Sequence, residues 1–331
     1  MLNLNIFYDK NYWLSHRKFL NQDIFQSSIF NYYYSFHYYR NKPLKTKYIK
    51  SGPQKLVNNL LEYFENREDV IFNQHVFNNY YFPTLTSESF EIIQDVIRKN
   101  NNIIIGPLYT NKDFLKLVDI CQNYNNLKII AASTFAKEAM LKIANHSLDE
   151  DKIQILPIGI EYEQEIKDNF HNRKSRNDDC LLYFKGRDKK DLHFIKNILS
   201  EKKINYNLFD YGSYRNEELK TKAKFSKFGL VLGRTESQGI AINQLICADL
   251  PLFVINSKIN NYEGKTYKGS TVPYWSSNCG LKIDTFENFE KKFETFLNNL
   301  ENEIYNPYKY AYEVLSYESM DKNIKKIFDK F

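Results

Sequence analysis

The sequence predicts an α/β protein made of two Rossmann-like domains that face a cleft. Strand-like and helix-like segments alternate along the chain at the spacing of parallel βα units. A length of 331 residues suffices for two domains of ordinary size. The polar run at 171–179, HNRKSRNDD, reads as a linker. Because ligands of open α/β sheets bind beyond the carboxyl ends of the strands, we expect the loops of both halves to line the cleft.

The first half predicts strands at 3–8, 70–72, 103–105, 128–131 and 154–156. It predicts helices at 53–65, 87–99, 113–123 and 136–144. Residues 10–50 fit no simple unit, which indicates an insertion or a helical excursion.

The second half alternates more regularly. Its predicted strands are 180–185, 204–211, 229–232, 252–255 and 281–283. Its predicted helices are 190–202, 215–224, 238–248 and 286–300. Short strands with crossover helices favour a mostly parallel sheet that is covered on both faces.

Composition indicates a globular protein, with 43% hydrophobic and 26% charged residues. No apolar run reaches the ~18 residues of a membrane span, and no signal-peptide pattern opens the sequence, so we expect a cytoplasmic location. The four cysteines show no zinc-ligand spacing, and we expect them to be reduced and packed.

The positive charge is concentrated near the start. Residues 1–50 contain eight Lys or Arg and two acidic residues, a net +6 that equals the net charge of the whole chain. The basic residues at 40–47 follow an aromatic run at 32–39. Two interpretations stay open: a solvated basic loop after a core helix, or, through residues 38–50, a peripheral contact with an anionic membrane or an anionic acceptor. No nucleic-acid-binding motif accompanies the cluster.

The most informative segment is 228–254, FGLVLGRTESQGIAINQLICADLPLFV, which predicts strand, polar turn, helix and strand. Glu236 stands at the turn, followed by Ser237, Gln238, Gly239 and Ile240. The free N–H groups at a helix N-terminus suit a phosphate, and a carboxylate accepts hydrogen bonds from hydroxyls. This combination suits a nucleotide-sugar; the alternative is an ordinary strand–turn–helix with a solvated glutamate.

The segment resembles the donor-binding region of the retaining GT-B glycosyltransferases, especially family 4. Their pattern has a Glu, a Gly-containing turn, a second Glu eight positions later, and Ala-Gly-Leu-Pro before an apolar strand. Here Glu236 is the first Glu, Gln244 replaces the second, and Asp249 replaces the Gly. The resemblance implies that Glu236 contacts the transferred sugar and that Gln244 contacts the ribose through an uncharged amide.

Further segments match the family. The run 182–187, LYFKGR, with Lys190 behind it, resembles the element whose Arg and Lys bind the donor diphosphate, which assigns that role to Arg187 and Lys190. Gly52, in Ser-Gly-Pro, resembles the family's glycine-rich first loop; the alternative is a plain helix start. The segments 129–138, 155–161 and 211–219 match more loosely.

The resemblance implies an N-terminal acceptor-side domain at 1–155 and a donor-binding domain at 156–307. A terminal helix at about 308–331 would pack back onto the first domain. The acidic run at 149–151 fits a DxD pattern but follows a helix, so we interpret it as a solvated turn and expect no metal site. The segment 229–233 lacks GxGxxG, which argues against a nicotinamide enzyme.

The sequence therefore predicts a glycosyltransferase that moves a sugar from a nucleoside diphosphate-sugar to a glycan or lipid-linked acceptor. The resemblance implies retention of configuration, no metal and no other cofactor. The main alternative is a degenerate GT-B domain that binds a nucleotide-sugar or a glycan without turnover. A sugar-nucleotide epimerase and a phosphorylase are further alternatives.

Overall fold

The computed structural model describes residues 1–8, 52–85, 87–108, 111–145, 147–161, 176, 178–262 and 265–331. Contacts divide the chain into two compact units. One unit lies within residues 1–130, 148–154 and 328–331, and the other within 131–147 and 155–327. We predicted a boundary at 155 and a terminal helix that returns to the first domain, whereas contacts group most of that helix with the second unit.

The first unit is built on a six-stranded sheet with the order β2-β1-β3-β4-β5-β6. Its strands are β1 (Leu4–Ile6), β2 (Val70–Phe72), β3 (Asn79–Phe82), β4 (Asn102–Ile105), β5 (Leu127–Ala131) and β6 (Ile153–Ile155). The helices between these strands in sequence are α1 (Gly52–Phe64), α2 (Ser87–Arg98), α3 (Asn111–Asn123) and α4 (Thr134–Ile143). The pairs β1–β2, β1–β3, β3–β4 and β4–β5 are all parallel.

The second unit is built on a five-stranded sheet with the order β13-β10-β9-β7-β8. Its strands are β7 (Asp178–Lys185), β8 (Tyr206–Asp210), β9 (Ser226–Gly233), β10 (Leu252–Ile255) and β13 (Gly280–Ile283). The helices are α5 (Lys189–Glu201), α6 (Asn216–Phe225), α7 (Ile240–Cys247) and α8 (Phe289–Glu301). Every pairing in this sheet is parallel. The predicted α/β class with two Rossmann-like units is therefore confirmed.

Alternation along β7 explains why this sheet is covered on both faces. Leu182 and Phe184 pack in a cluster with apolar residues of α5 and α8. Leu181 and Tyr183 pack in a second cluster with residues of α6 and α7. Successive side chains of a strand point to opposite faces, so an unbroken apolar run needs a helix layer on each side. Each fully buried Leu or Phe contributes about 1.5–3 kcal/mol.

Two elements were missed from the sequence. Strand β3 lies between β1 and β4 in the first sheet. An antiparallel hairpin, β11 (Ile259–Tyr262) and β12 (Lys265–Lys268), lies in sequence between β10 and β13. Every other predicted strand and helix is present, with ends that differ by three residues at most.

Asn5 shows how the chain builds around β3. The side chain of Asn5 is fully buried. Its amide nitrogen donates to the carbonyl oxygens of Phe77 and Asn79, at 2.7 and 3.0 Å. Its amide oxygen accepts from the backbone nitrogens of Val76 and Phe77, at 3.0 and 3.1 Å. These bonds compensate the cost of burying the amide and fix the turn that enters β3.

The chain ends with α9 (Pro307–Tyr310), a π-helical turn (Ala311–Leu315) and α10 (Tyr317–Phe328). The N–H of Ile160 donates to Leu315 O at 2.8 Å, and Gly159 lies against Tyr317 and Met320 of α10. The terminal segment therefore packs on residues 159–160. None of the helices formed by the described residues is long and apolar enough to cross a membrane.

Candidate functional site

The order of the second sheet reverses between β7 and β9. Read from its edge, the sheet runs β8-β7-β9-β10-β13, the flavodoxin-like order 2-1-3-4-5. Strands β7 and β9 are neighbours, and Lys185 at the end of β7 pairs in register with Gly233 at the end of β9. Ligands of open α/β sheets bind beyond the carboxyl ends of the two strands that flank such a reversal. The topology therefore selects the loops after Lys185 and Gly233.

An ion pair joins these two loops. Lys185 Nζ lies 2.6 Å from Glu236 Oε1, and each side chain is only 13% exposed. The backbone nitrogen of Glu236 donates to Ser270 O at 2.9 Å, which fixes the loop that carries the carboxylate. The ammonium of Lys185 also lies 4.2 Å from the centre of the Tyr211 ring, just after β8. Three strand ends thus converge on one half-buried charge pair.

A buried tyrosine, Tyr183, and a partly buried one, Tyr214, lie near this pair. The hydroxyls of Tyr183 and Tyr214 share a hydrogen bond, and their rings meet edge to face at 6.2 Å. Burial raises the pKa of Tyr214 to about 12. Burial also raises the pKa of Tyr183, and the charge of Glu236 adds to the rise. Both hydroxyls therefore stay neutral at physiological pH and add no charge to the site.

Arg187 is largely occupied by protein contacts. Its Nε donates to Asp191 at 2.6 Å, and its Nη1 donates to Ile255 O at 2.9 Å and to Ser257 Oγ at 3.3 Å. The guanidinium also lies 5.7 Å from the Phe286 ring centre. The other terminal nitrogen, Nη2, makes no hydrogen bond among the described residues. Arg187 therefore links the end of β7 to the end of β10, and its Nη2 remains available to a ligand.

Two more cations lie near Arg187. Lys190 is exposed in the first turn of α5, where Asp188 caps the helix by accepting from the Lys190 N–H at 2.9 Å. Arg234 follows Gly233 and is exposed, and its side-chain carbons lie against Gly186. Among the described residues neither side chain forms an ion pair. Sequence reasoning assigned a role to Lys190 but overlooked Arg234.

The turn after Glu236 contains a left-handed backbone conformation, which glycine adopts readily. Gly239 adopts a left-handed conformation with φ 64° at the N-terminus of α7, and no side chain caps that helix. Ser237 is exposed, and Ile240 is the first residue of α7. Gln238 is buried: its Nε2 donates to Leu156 O at 3.3 Å, and its Oε1 accepts from Ile158 N at 3.4 Å. The Gln238 side chain thus holds the turn to the 156–158 segment.

Gln244 lines a pocket that does not include Glu236. The pocket is small and open, and its other lining residues are Ile160, Glu161, Lys220, Lys224, Cys247 and Ala248. Its Oε1 is buried and has no hydrogen-bond partner among the residues that the structure describes. No hydrogen bond among the described residues joins Gln244 to Glu236. A buried acceptor without a partner costs about 1–3 kcal/mol, so a ligand hydroxyl at this atom would recover part of that cost.

Asp249, the residue that replaces the family's usual glycine, has a structural role. It is fully buried and adopts a left-handed conformation with φ 55°. Its carboxylate accepts from Tyr308 N at 3.0 Å, at the start of α9, and lies 4.0 Å from the Arg176 guanidinium. Asp tolerates this backbone region better than most residues, so the substitution keeps the turn and adds a link to the terminal helices.

A polar network holds the loop after β10 beside the site. Asn256 Oδ1 accepts from Ser270 Oγ at 3.0 Å and from Thr271 N at 2.9 Å, and its Nδ2 donates to Asp284 at 2.9 Å. Thr271 Oγ1 donates to Gly233 O at 3.0 Å. The hydrogen bond from Asn256, and after it the hydrogen bond from Lys258, lowers the pKa of Asp284. The network fixes Ser270, which in turn receives the Glu236 N–H.

Other expected features lie in the first unit or outside the described residues. Gly52 begins α1 in the first unit. The basic-aromatic segment, including 38–50, and most of the predicted linker lie outside the described residues. Asp149, Glu150 and Asp151 are exposed at a short 3₁₀ turn. Within the described residues, no group of three His, Cys, Asp or Glu side chains could hold a metal ion. The prediction of packed, reduced cysteines is confirmed, since all four are buried and none forms a disulfide.

Sequence reasoning missed Lys185 and Tyr211 as site residues. Lys185 is the only charged residue in the run LLYFK, and it ends a strand that was predicted correctly to that residue. A charge at the carboxyl end of an otherwise apolar strand is a signal that could have identified it. Tyr211 and Arg234 also directly follow strands, so the same signal applies to them.

No protein-family model and no curated protein matches the chain. Among solved structures, it is similar to the lipopolysaccharide outer core galactosyltransferase WaaB, with a TM-score of 0.49, 12% identity, and coverage of 85% of this chain and 96% of that one. It is also similar to WaaG, a glycosyltransferase involved in lipopolysaccharide biosynthesis, with a TM-score of 0.43, 12% identity, and coverage of 84% and 96%. S. aureus TarM matches with a TM-score of 0.42, 12% identity, and coverage of 85% and 60%. At these values the matches support no functional conclusion, and the fold assignment rests on the sheet topology.

Proposed function

We propose that this protein is a glycosyltransferase that moves a sugar from a nucleoside diphosphate-sugar to a glycan or lipid-linked acceptor. One observation supports the proposal most strongly: Glu236 lies beyond β9 at the reversal of strand order, where it is 13% exposed. A carboxylate at that position can accept hydrogen bonds from two sugar hydroxyls.

Cations beside Glu236 suit a diphosphate leaving group. Arg187 has one donor to spare, and Lys190 and Arg234 are exposed at the ends of β7 and β9. A departing nucleoside diphosphate gains negative charge, and positioned cations stabilise it. The N-terminus of α7, with the amides of Ser237, Gln238, Gly239 and Ile240 around it, favours negative charge as well. Gly52 is likewise proposed to contact the donor, and Gln244 would accept a hydrogen bond from the ribose.

The proposed transfer proceeds with retention and needs no metal ion. In this mechanism Glu236 accepts hydrogen bonds from the sugar hydroxyls and does not attack the sugar. The leaving phosphate accepts the proton of the acceptor hydroxyl on the same face of the sugar ring. Arg187, Lys190 and Arg234 supply the positive charge that a metal ion would otherwise bring. The protein would work in the cytoplasm, and residues 38–50 would contact an anionic membrane surface when the acceptor is lipid-linked.

The test is turnover. Purified protein is screened against nucleoside diphosphates and their sugars by thermal shift, because a ligand at a hundredfold excess over its dissociation constant stabilises by about 2.7 kcal/mol. The stabilising donor is then assayed for release of nucleoside diphosphate, with and without added glycans. We expect the wild-type protein to release nucleoside diphosphate and Glu236→Ala to lower the rate of release by roughly tenfold to a hundredfold. Release that stays within twofold of wild type in this variant would contradict the assignment of Glu236.

A second function, binding without turnover, is favoured by the position of Gln244. Its side chain lines a pocket that none of the Glu236 contacts reaches, and it lacks the charge of the family's second Glu. A degenerate domain would show a thermal shift with a nucleotide-sugar or a glycan but no release of nucleoside diphosphate. The same two assays therefore separate the two functions.

A further inference from the structure

Lys185 contacts the carboxylate to which the proposed function assigns the sugar. The two charged atoms are 2.6 Å apart, and both side chains are 13% exposed. The Coulomb attraction between two charges at this distance is stronger where water is largely excluded than on an exposed surface. It also restricts the rotamers of both side chains, so the Glu236 carboxylate has a defined direction before a ligand arrives.

Lys185 is itself held in place. It is the last residue of β7, in parallel register with Gly233, so its backbone position is fixed by the sheet. The Tyr211 ring lies 4.2 Å from the ammonium. The Lys185 carbonyl oxygen accepts from Arg234 N at 3.0 Å. The ends of three strands, β7, β8 and β9, therefore hold the Lys185 ammonium in place.

We propose that Lys185 is a positioning residue for the donor sugar: it orients Glu236 and keeps that carboxylate from turning toward the neighbouring phosphate-binding cations. The inference rests on the proposed function. Without Lys185, the nearest exposed cation along the chain is Arg234, two residues before Glu236. A carboxylate that turns toward Arg234 would leave the sugar hydroxyls.

The geometry also separates Lys185 from a phosphate ligand. Its ammonium is enclosed by a carboxylate and an aromatic ring, whereas Arg234 and Lys190 are exposed. A role through Glu236 predicts that the variant loses the contribution of the sugar to binding and turnover. A role on the phosphate predicts that it loses affinity for the bare nucleoside diphosphate.

The experiment is a double-mutant cycle on the full-length protein with Lys185→Met, Glu236→Gln and both together. Lys202→Met is the matched control, since Lys202 forms a 3.0 Å pair with Glu294 between α5 and α8. Turnover of the stabilising nucleotide-sugar gives kcat and KM, and calorimetry with the bare nucleoside diphosphate gives the affinity of the phosphate site. Lys185→Arg tests rescue. Tyr211→Leu, at a 48% exposed position, loosens Lys185 while keeping both charges and is the alternative if Lys185→Met does not fold.

We expect Lys185→Met to lower kcat/KM about tenfold or more, mainly through kcat, with the affinity for bare nucleoside diphosphate unchanged within twofold. The double variant should be no worse than Glu236→Gln alone, because Lys185 acts through Glu236. Lys185→Arg should recover part of the activity, Tyr211→Leu should lose a smaller part, and Lys202→Met should match wild type.

Three results would overturn the inference while leaving the proposed function intact: wild-type turnover in Lys185→Met, losses that multiply in the double variant, or weaker binding of bare nucleoside diphosphate. If Lys185→Met does not fold, wild-type turnover in Tyr211→Leu would overturn it. A wild-type protein that neither binds nor turns over any nucleotide-sugar would overturn the proposed function and this inference together.

Discussion

At the scale of single residues, three carboxylates in the described part of the chain that are largely shielded from water each pair with a cation, and each pair lies at a junction in the fold. Asp69 receives the Leu2 N–H and the Arg67 guanidinium at the start of the first sheet. Asp249 receives the Tyr308 N–H at the start of the terminal helices. Lys185 and Glu236 join the two loops at the reversal of strand order. Removing one partner of such a pair costs more than the pair itself contributes, because the remaining charge is desolvated and alone.

Asp69 should give the protein a pH-dependent stability. The bond from Arg67 lowers the pKa of Asp69 from 3.8 to about 2. A carboxyl whose folded pKa lies below its unfolded value contributes its full stability above pH ~4 and loses it as the pH falls toward ~2. Asp69→Asn should therefore lower the free energy of unfolding at pH 7, by about 1 kcal/mol once solvent screening is allowed for, and by less at pH 3.

Urea unfolding at both pH values measures this difference. Asp95→Asn is the control, because Asp95 pairs with Lys99 at 2.8 Å on the exposed surface of α2. That variant should change stability little at either pH. A deficit for Asp69→Asn that stays constant from pH 7 to pH 3 would contradict the role given to the Arg67 bond.

Asp249→Ala should be strongly destabilising. The change leaves the Arg176 guanidinium and the Tyr308 N–H without the carboxylate, and it places an alanine at φ 55°. We expect a loss of about 3 kcal/mol or more in urea unfolding. Asp249→Asn keeps an oxygen for Tyr308 and tolerates the same backbone region, so it should lose clearly less. Equal losses in the two variants would show that the carboxylate oxygen does not hold α9.

At the scale of elements, the loop between β10 and β13 carries the largest departure from the predicted α/β alternation. The hairpin β11–β12 rises from this loop, and the Asn256 network closes its base on Gly233 and Ser270. The network thereby connects the hairpin base to the backbone of Glu236 through the bond from its N–H to Ser270 O. The loop after β10 consequently supports the site even though it adds no charge to the ion pair.

Asn256→Ala should loosen this loop. The variant loses the bonds to Asp284, Ser270 Oγ and Thr271 N. Asp284 keeps Lys258 and Ser270 Oγ keeps Val272, whereas the buried Thr271 N–H loses its acceptor, which costs about 1–3 kcal/mol. We expect a lower melting temperature and faster proteolysis within residues 257–270. Asn260→Ala, at an exposed position of β11, is the control and should match wild type. Asn256→Ala with unchanged proteolysis would show that the hairpin base is held by other contacts.

Hydrophobic periodicity was enough to predict most elements, but it did not predict strand β3 or the β11–β12 hairpin. Strand β3 reads Asn-Tyr-Tyr-Phe between Asn78 and Pro83, so it lacks the aliphatic run that marks β4 and β5. Its central place depends on β1 on one side, on β4 on the other, and on the Asn5 bonds, which come from more than 70 residues away in sequence. The strands of the hairpin are short and polar, and they pair only with each other.

At the scale of the whole molecule, the two sheets have the same order for their first five strands. The first sheet runs β2-β1-β3-β4-β5-β6 and the second β8-β7-β9-β10-β13, so each reverses beside its first strand. The sequence predicted the class and the loop with Glu236, because both depend on local pattern. It did not predict that Lys185 pairs with Glu236, because that contact links residues 51 positions apart and follows from the strand order.

Chelation tests the electrostatic part of the account. Arg187, Lys190 and Arg234 are placed to balance the charge of the leaving diphosphate, so turnover should persist within twofold when a chelator is added. The control is a glycosyltransferase known to need manganese, treated in the same way. Full loss of turnover with chelator, restored by magnesium or manganese, would show that a metal ion supplies the charge instead.

The most direct test of the central claim is a calorimetric titration of the stabilising nucleotide-sugar and of its bare nucleoside diphosphate. It uses wild type, Glu236→Gln, the double variant Arg187→Ala/Lys190→Ala, and Glu294→Gln as a control ion-pair variant away from the site. The account predicts that Glu236→Gln weakens binding of the nucleotide-sugar about tenfold but leaves the bare diphosphate unaffected. It predicts that Arg187→Ala/Lys190→Ala weakens both ligands and that Glu294→Gln weakens neither. Wild-type affinity for the nucleotide-sugar in both site variants would contradict the claim that the loops after β7 and β9 bind the donor.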